Sequence, residues 1–225
     1  MSPVARLVVV LLLTTQTVLG WLALDGGSSA PAVPPMPVTP VSEPVEPLTI
    51  DTALVVADPV ALAWDPDARL VSALMEVLWP QDGPVTVPSE VPSGGALTLV
   101  YAAGDAQLTL LMDRGSGVVF HAETGEWSDE LAVPLATDQI DRPSAIAVLA
   151  AEVSYGTSYR AACPEYRFVT RVYLANGQGA EGHPAWLVSY VDERHRDRPD
   201  IRIRVDTVTG KTVGGQATGV GCAEE

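Results

Sequence analysis

Few residues in this chain have types that could do chemistry, and their spacing assembles no reactive set. The three histidines, His121, His183 and His195, are scattered singly and lack the paired spacing by which a helix presents two imidazoles to a metal ion. Each reads as a surface or loop residue. His195-Arg196-Asp197 lacks the downstream Asn, the Gly-rich loop and the Lys of a kinase catalytic centre. It sits in a charged hairpin loop from Asp192 to Asp200. Gly115-Ser116-Gly117 is shorter than the five-residue elbow that presents a nucleophilic serine, and no His and acid follow in a usable arrangement. Asp129 and Glu130 adjoin in sequence, which does not make them face each other across a substrate. No catalytic residue, cofactor ligand or metal ligand is assigned, and the chain is expected not to be an enzyme. The two cysteines, Cys163 and Cys222, suit one disulfide of an exported chain. That bridge would close a loop of about sixty residues and contribute about 2–4 kcal/mol.

The expectation of export comes from the N-terminus. Arg6 precedes an uncharged, mostly apolar stretch from Leu7 to Leu24. Eighteen residues at a helical rise reach about 27 Å, marginal for a bilayer core of about 30 Å. The stretch is a signal anchor or a signal peptide, the latter cleaved after Gly20, where Val18 and Gly20 are small enough for the cleavage positions. Residues 1–25 are therefore set aside. Residues 26–48 follow as a linker, with seven prolines between Pro31 and Pro47 that favour extended geometry. At about 3.1 Å per residue, the seventeen residues could hold a domain about 50 Å from its attachment. Twenty-eight acidic residues against 13 basic ones, a formal charge of −15, oppose binding to nucleic acid or an anionic lipid surface.

The remaining residues carry the same landmarks twice in the same order. Pro66-Asp67-Ala68-Arg69-Leu70-Val71 is matched by Pro164-Glu165-Tyr166-Arg167-Phe168-Val169, Leu97–Tyr101 by Trp186–Tyr190, and Asp113 to Gly117 by Asp206 to Gly210. An internal repeat is expected. Leu97–Tyr101 and Ile201–Val205 alternate as half-buried strands do, with Arg202 and Arg204 on the wet side of the second. Ile140 to Val153 has helical spacing, with Pro143 in its first turn. For the first copy Thr52 to Trp64, despite Pro59, competes with Asp67 to Leu78, and the repeat favours the former. The loops at Pro80 to Gly95 and Ala175 to His183 should be exposed. Each unit, 49–122 and 123–225, would be a helix packed on an antiparallel sheet of three or four strands, with Glu123 to Thr137 as connector.

The second unit resembles a PepSY-type domain. The residues that carry the likeness are Trp186-Leu187-Val188-Ser189-Tyr190, a charged hairpin loop, and Ile203-Arg204-Val205-Asp206-Thr207-Val208-Thr209-Gly210-Lys211. The resemblance, clearest over residues 185–211, implies an α+β fold of two tandem cystatin-like units. It also implies a non-catalytic module outside the cytoplasmic membrane that modulates an exported peptidase or an envelope sensor. Trp186 and Tyr190 read as core. The alternative is a secreted or envelope structural protein without a regulatory role. The expected partner is an unidentified exported or membrane protein, with the membrane itself reached through residues 7–24 if these are uncleaved.

Overall fold

The computed structural model describes residues 47–79, 85–87, 90–128, 133–163, 168–192 and 201–217. The chain forms α1 (Ile50–Trp64), β1 (Arg69–Leu78), β2 (Ala96–Ala103), β3 (Ala106–Asp113) and β4 (Val119–Glu126). There follow α2 (Ser144–Ala151), a π-helical turn (Glu152–Gly156), α3 (Thr157–Ala162), β5 (Phe168–Ala175), β6 (Ala185–Asp192), β7 (Ile201–Asp206) and β8 (Thr212–Ala217). The strands form one antiparallel sheet in the order β4-β3-β2-β1-β5-β6-β7-β8.

Strand periodicity explains how the sheet is covered. Leu97, Leu99 and Tyr101 of β2, Leu108, Leu110 and Met112 of β3, and Ile203 and Val205 of β7 are buried, while their neighbours in sequence are less so, except Asp206 at the end of β7, which is also buried. On the covered side α1 lies against β1, β2 and β3, and α2 against β6, β7 and β8. Helix α1 contributes Ile50, Ala53, Leu54, Ala57, Ala61 and Trp64, a stripe at helical spacing, and tolerates Pro59 on its exposed side. Trp186 and Tyr190 are both fully buried core residues.

The expectation of two tandem cystatin-like units is overturned. Strand β1 pairs with β5 from Leu74↔Tyr173 to Leu78↔Val169, and a single core cluster draws residues from β1, β2 and β3 as well as β5, β6 and β7. Two separate bodies would leave β1 and β5 as open edges, with unpaired backbone groups that favour pairing. Here those two edges satisfy one another. The expected internal repeat therefore does not divide the chain into repeated bodies. Its likeness is local, in the turns after β3 and β7. Gly117 N–H donates to Asp113 O and Gly210 N–H to Asp206 O, both at 2.9 Å, and Gly210 takes the positive φ of 68° that other residues resist.

Other boundaries move for identifiable reasons. The helix expected over Ile140 to Val153 begins at Ser144. There Ser144 N–H and Oγ–H donate to Asp51 Oδ1 (3.0 and 3.3 Å), and Ile50 N–H donates to Ser144 Oγ (3.0 Å). The starts of α1 and α2 thus supply each other's missing partners. Strand β4 takes up the first part of the supposed connector, and β8 forms in a Gly-rich segment. Within the supposed exposed loop after β1, Val85 and Val91 are buried. Arg114 is also buried. It donates to the carbonyls of Leu48, Pro92 and Gly94 at 3.0, 2.8 and 3.1 Å, and burial pulls its pKa down to about 10. It ties the approach to α1 to the segment leading into β2.

The second helical run continues past its expected end through the π turn. Glu152, only 1% exposed, accepts from Tyr190 Oη at 2.6 Å, Arg160 Nη2 at 2.7 Å and Thr157 Oγ1 at 3.0 Å. Burial first, and then the Glu152 charge, push the Tyr190 hydroxyl well above its ordinary pKa. Arg160 stacks 4.3 Å over the Trp79 ring, and Trp79 Nε1 donates to Thr170 Oγ1 at 2.6 Å. A buried carboxylate survives only with such partners. At Gly156 a Cβ would overlap the Tyr190 hydroxyl and the Glu152 carboxylate, so this position admits no side chain. Gly156→Ala is expected to lower stability by about 2 kcal/mol or more through overpacking, read as a fall in the urea midpoint. An unchanged midpoint would remove the network from any stabilising role.

Candidate functional site

Among the described residues no helix lies on the other side of the sheet, although Val169, Val191 and Ser189, which alternate to that side, are buried. On β5 the buried Thr170, Val172 and Leu174 point to the helices, so Arg171 and Tyr173 point to the other face. Cross-strand pairing extends them into two rows. Glu76, Arg171, Ser189, Arg202 and Gln216 lie side by side from β1 to β8, and Leu74, Tyr173, Leu187, Arg204 and Gly214 form the next row. From these rows Arg171, Tyr173, Leu187, Ser189, Arg202 and Arg204, among others, line a concavity of about 690 Å³.

The electrostatics of this face run against the composition of the chain. No acidic residue is among the described residues that line the concavity. Arg171 Nε donates to Glu76 Oε1 at 2.9 Å, each side chain 21% exposed, which fixes Arg171 against β1. Arg202 and Arg204 are exposed, and neither makes an ion pair among the described residues. The guanidinium of Arg204 lies across β8, where Gly214 offers no Cβ to hold it off.

The residues singled out in the sequence lie elsewhere. His121 sits on β4, 3.5 Å from Glu123. His183 Nδ1 lies 3.3 Å from Asp206 Oδ2, which also accepts from Ala180 N–H. Ser116 donates its hydroxyl to Asp113 Oδ1 at 2.7 Å. Asp129, Glu130 and His195-Arg196-Asp197 lie outside the described residues, as do residues 7–24, on which the expected transmembrane helix falls. Among the described residues no helix is long and apolar enough to cross a membrane, and no group of His, Cys, Asp and Glu could hold a metal ion. No disulfide joins two described residues, since Cys163 is the one cysteine among them. Cys163 is buried and not free, and Cys222 lies outside them.

Sequence reasoning reached Arg202 and Arg204 as the wet side of a strand and missed Arg171. Only the registers of β5 on β6 and β6 on β7 place it beside them. No family model matches the chain, so the PepSY and cystatin-like resemblance gains no support from one. No curated protein matches it. A similar solved structure is a "putative lipoprotein" from Clostridium difficile 630, at a TM-score of 0.47 and 11% identity, covering 78% of this chain and 99% of that one.

Asp206 anchors the end of β7 and hence the row that carries Arg204. Burial opposes its charge, but donors from Thr209, Ala180 and His183 outweigh this and hold the carboxyl below its usual range. The Ser116 hydroxyl and N–H do the same for Asp113. A carboxyl depressed by folding stabilises the fold fully above its unfolded pKa of about 3.9, and that contribution is lost as pH falls through the lower folded value. Asp206→Asn is therefore expected to melt below the parent at neutral pH, with the gap in melting temperature narrowing as pH falls below about 3.9. A gap independent of pH would assign the loss to geometry rather than charge.

Proposed function

We propose that the chain is an accessory protein of the cell envelope, acting outside the cytoplasmic membrane by binding, with the open face of β5–β8 as its contact surface. The observation that carries this reading is the concavity of about 690 Å³ whose polar lining projects from adjacent paired strands. That volume lies within the roughly 300–1,000 Å³ usual for ligand sites, and donors rooted on strands are held more rigidly than donors on loops. The export-type N-terminus supports the location. A regulatory role toward a peptidase or sensor is not part of this reading, because it came only from the PepSY resemblance, which no family model supports.

Fractionation of the native protein from its own cells, with intact mass, tests the location. Recovery in the envelope fraction or the medium is expected. Recovery in the cytosol, with Met1 to Leu24 still present, would overturn it.

A further inference from the structure

The chain carries a formal charge of −15, yet the open face of β5–β8 concentrates Arg171, Arg202 and Arg204 around one concavity. Chance placement on so acidic a surface would scatter guanidinium groups among carboxylates and pair them there. Of the three, Arg171 alone has an ion pair among the described residues, with Glu76 on β1, at the side away from Arg202. The positive potential is thus left toward β7 and β8.

The spacing of the strands sets what could be held. Arg202 and Arg204 are two residues apart on one face of β7, about 6.6–6.8 Å, and Arg171 is two strands away from Arg202, about 9.6 Å. Two guanidinium forks at that separation can each take an oxyanion in bidentate fashion, or converge on one doubly charged group. The row that carries Arg204 also carries Leu187 and Tyr173, both half-buried. They form an apolar shelf beside the charges. Ser189 and Gln216 flank Arg202 on its other two sides and offer further hydrogen-bonding groups.

We propose that this concavity is a binding site for a small organic anion of two negative charges, a dicarboxylate or a phosphate ester. Its charged end would meet Arg202 and Arg204, and its apolar body would lie on Tyr173 and Leu187. The inference rests on the reading of this face as the contact surface and adds the class of ligand. Arg171 is the fixed member of the set. It adds charge at one wall, while the Glu76 carboxylate behind it discourages an anion from sliding toward β1.

The test is calorimetric titration of the full-length protein at about pH 8 with phenylsuccinate, phenylphosphate and benzoate, so that ring size is kept while charge and acid type change. At least one of the two doubly charged probes is expected to bind at one site, about tenfold or more tighter than benzoate. That binding is expected to weaken as KCl is raised from about 0.05 to about 0.5 M. Which probe wins tells carboxylate from phosphate. In R202Q/R204Q, whose replaced side chains are exposed, the melting temperature should be unchanged and the affinity should fall about tenfold or more. Saturation by neither probe, or equal binding by the double variant, would overturn the proposal. Amide exchange of the same protein with and without its native envelope extract separates the two levels. Protection of β7 and β8 without anion binding would leave the contact surface standing and remove the anion. Absence of both would remove both.

Discussion

Strand β1 lies against β5, and from that one pairing the rest of the molecule follows. Toward the helices the seam joins Met75 to Val172 and Val77 to Thr170, all buried. Away from them it joins Glu76 to Arg171 and Leu74 to Tyr173. The two halves of the seam differ in weight. A partly exposed ion pair such as Glu76–Arg171 is worth about 1 kcal/mol or less after screening, whereas each large apolar side chain fully buried contributes about 1.5–3 kcal/mol. Apolar burial therefore holds the seam, and the ion pair sets its charge pattern. Near the same seam, Trp79 follows β1, bonds Thr170 of β5 and carries Arg160 on its ring. Arg160 reaches the buried Glu152, so the second helical run is fastened to the joint itself.

A single sheet with both helical runs on one side has a further consequence. Every strand contributes alternate residues to a face that no described helix covers. On the β5–β8 half that face carries arginines, and in β7 the residues that alternate with them are the core residues Ile203 and Val205. The constraint that packs the core thus aligns the charges. Moving β7 by one residue on β6 would send Arg202 and Arg204 toward the helices and Ile203 into water, so core burial defends the geometry of the open face.

What could be read from the sequence was local, and what could not was register. Ile201 to Val205 alternates so plainly that strand, wet side and core side were all legible, whereas spacing alone did not choose between Thr52 to Trp64, with Pro59 inside it, and Asp67 to Leu78 for the first helix. Glycine carries information here that spacing does not. Gly156 makes room for the Tyr190 hydroxyl. Gly214 and Gly215 read as a tail, yet they pair within β8. The recurring landmarks suggested two bodies because they mark the same turn chemistry. Turn chemistry does not say which edges meet. Whether β1 finds β5 is decided by burial between residues about a hundred positions apart, and no short window of sequence holds that information.

Arg204 joins packing to recognition in a single side chain. Its guanidinium lies over β8 at Gly214, on an edge strand whose exposed backbone invites unwanted pairing. Long charged side chains cover apolar and backbone surface while keeping their charge in water. The orientation that covers the edge also presents the guanidinium to the concavity, so part of the side-chain entropy that a ligand would have to remove, about 0.5–1.5 kcal/mol for such a residue, is already lost in folding. A bulkier residue at 214 would disturb both roles, pushing the guanidinium off the strand and out of line with Arg202. The bareness of Gly214 is thus better understood as space reserved for Arg204 than as looseness in a tail.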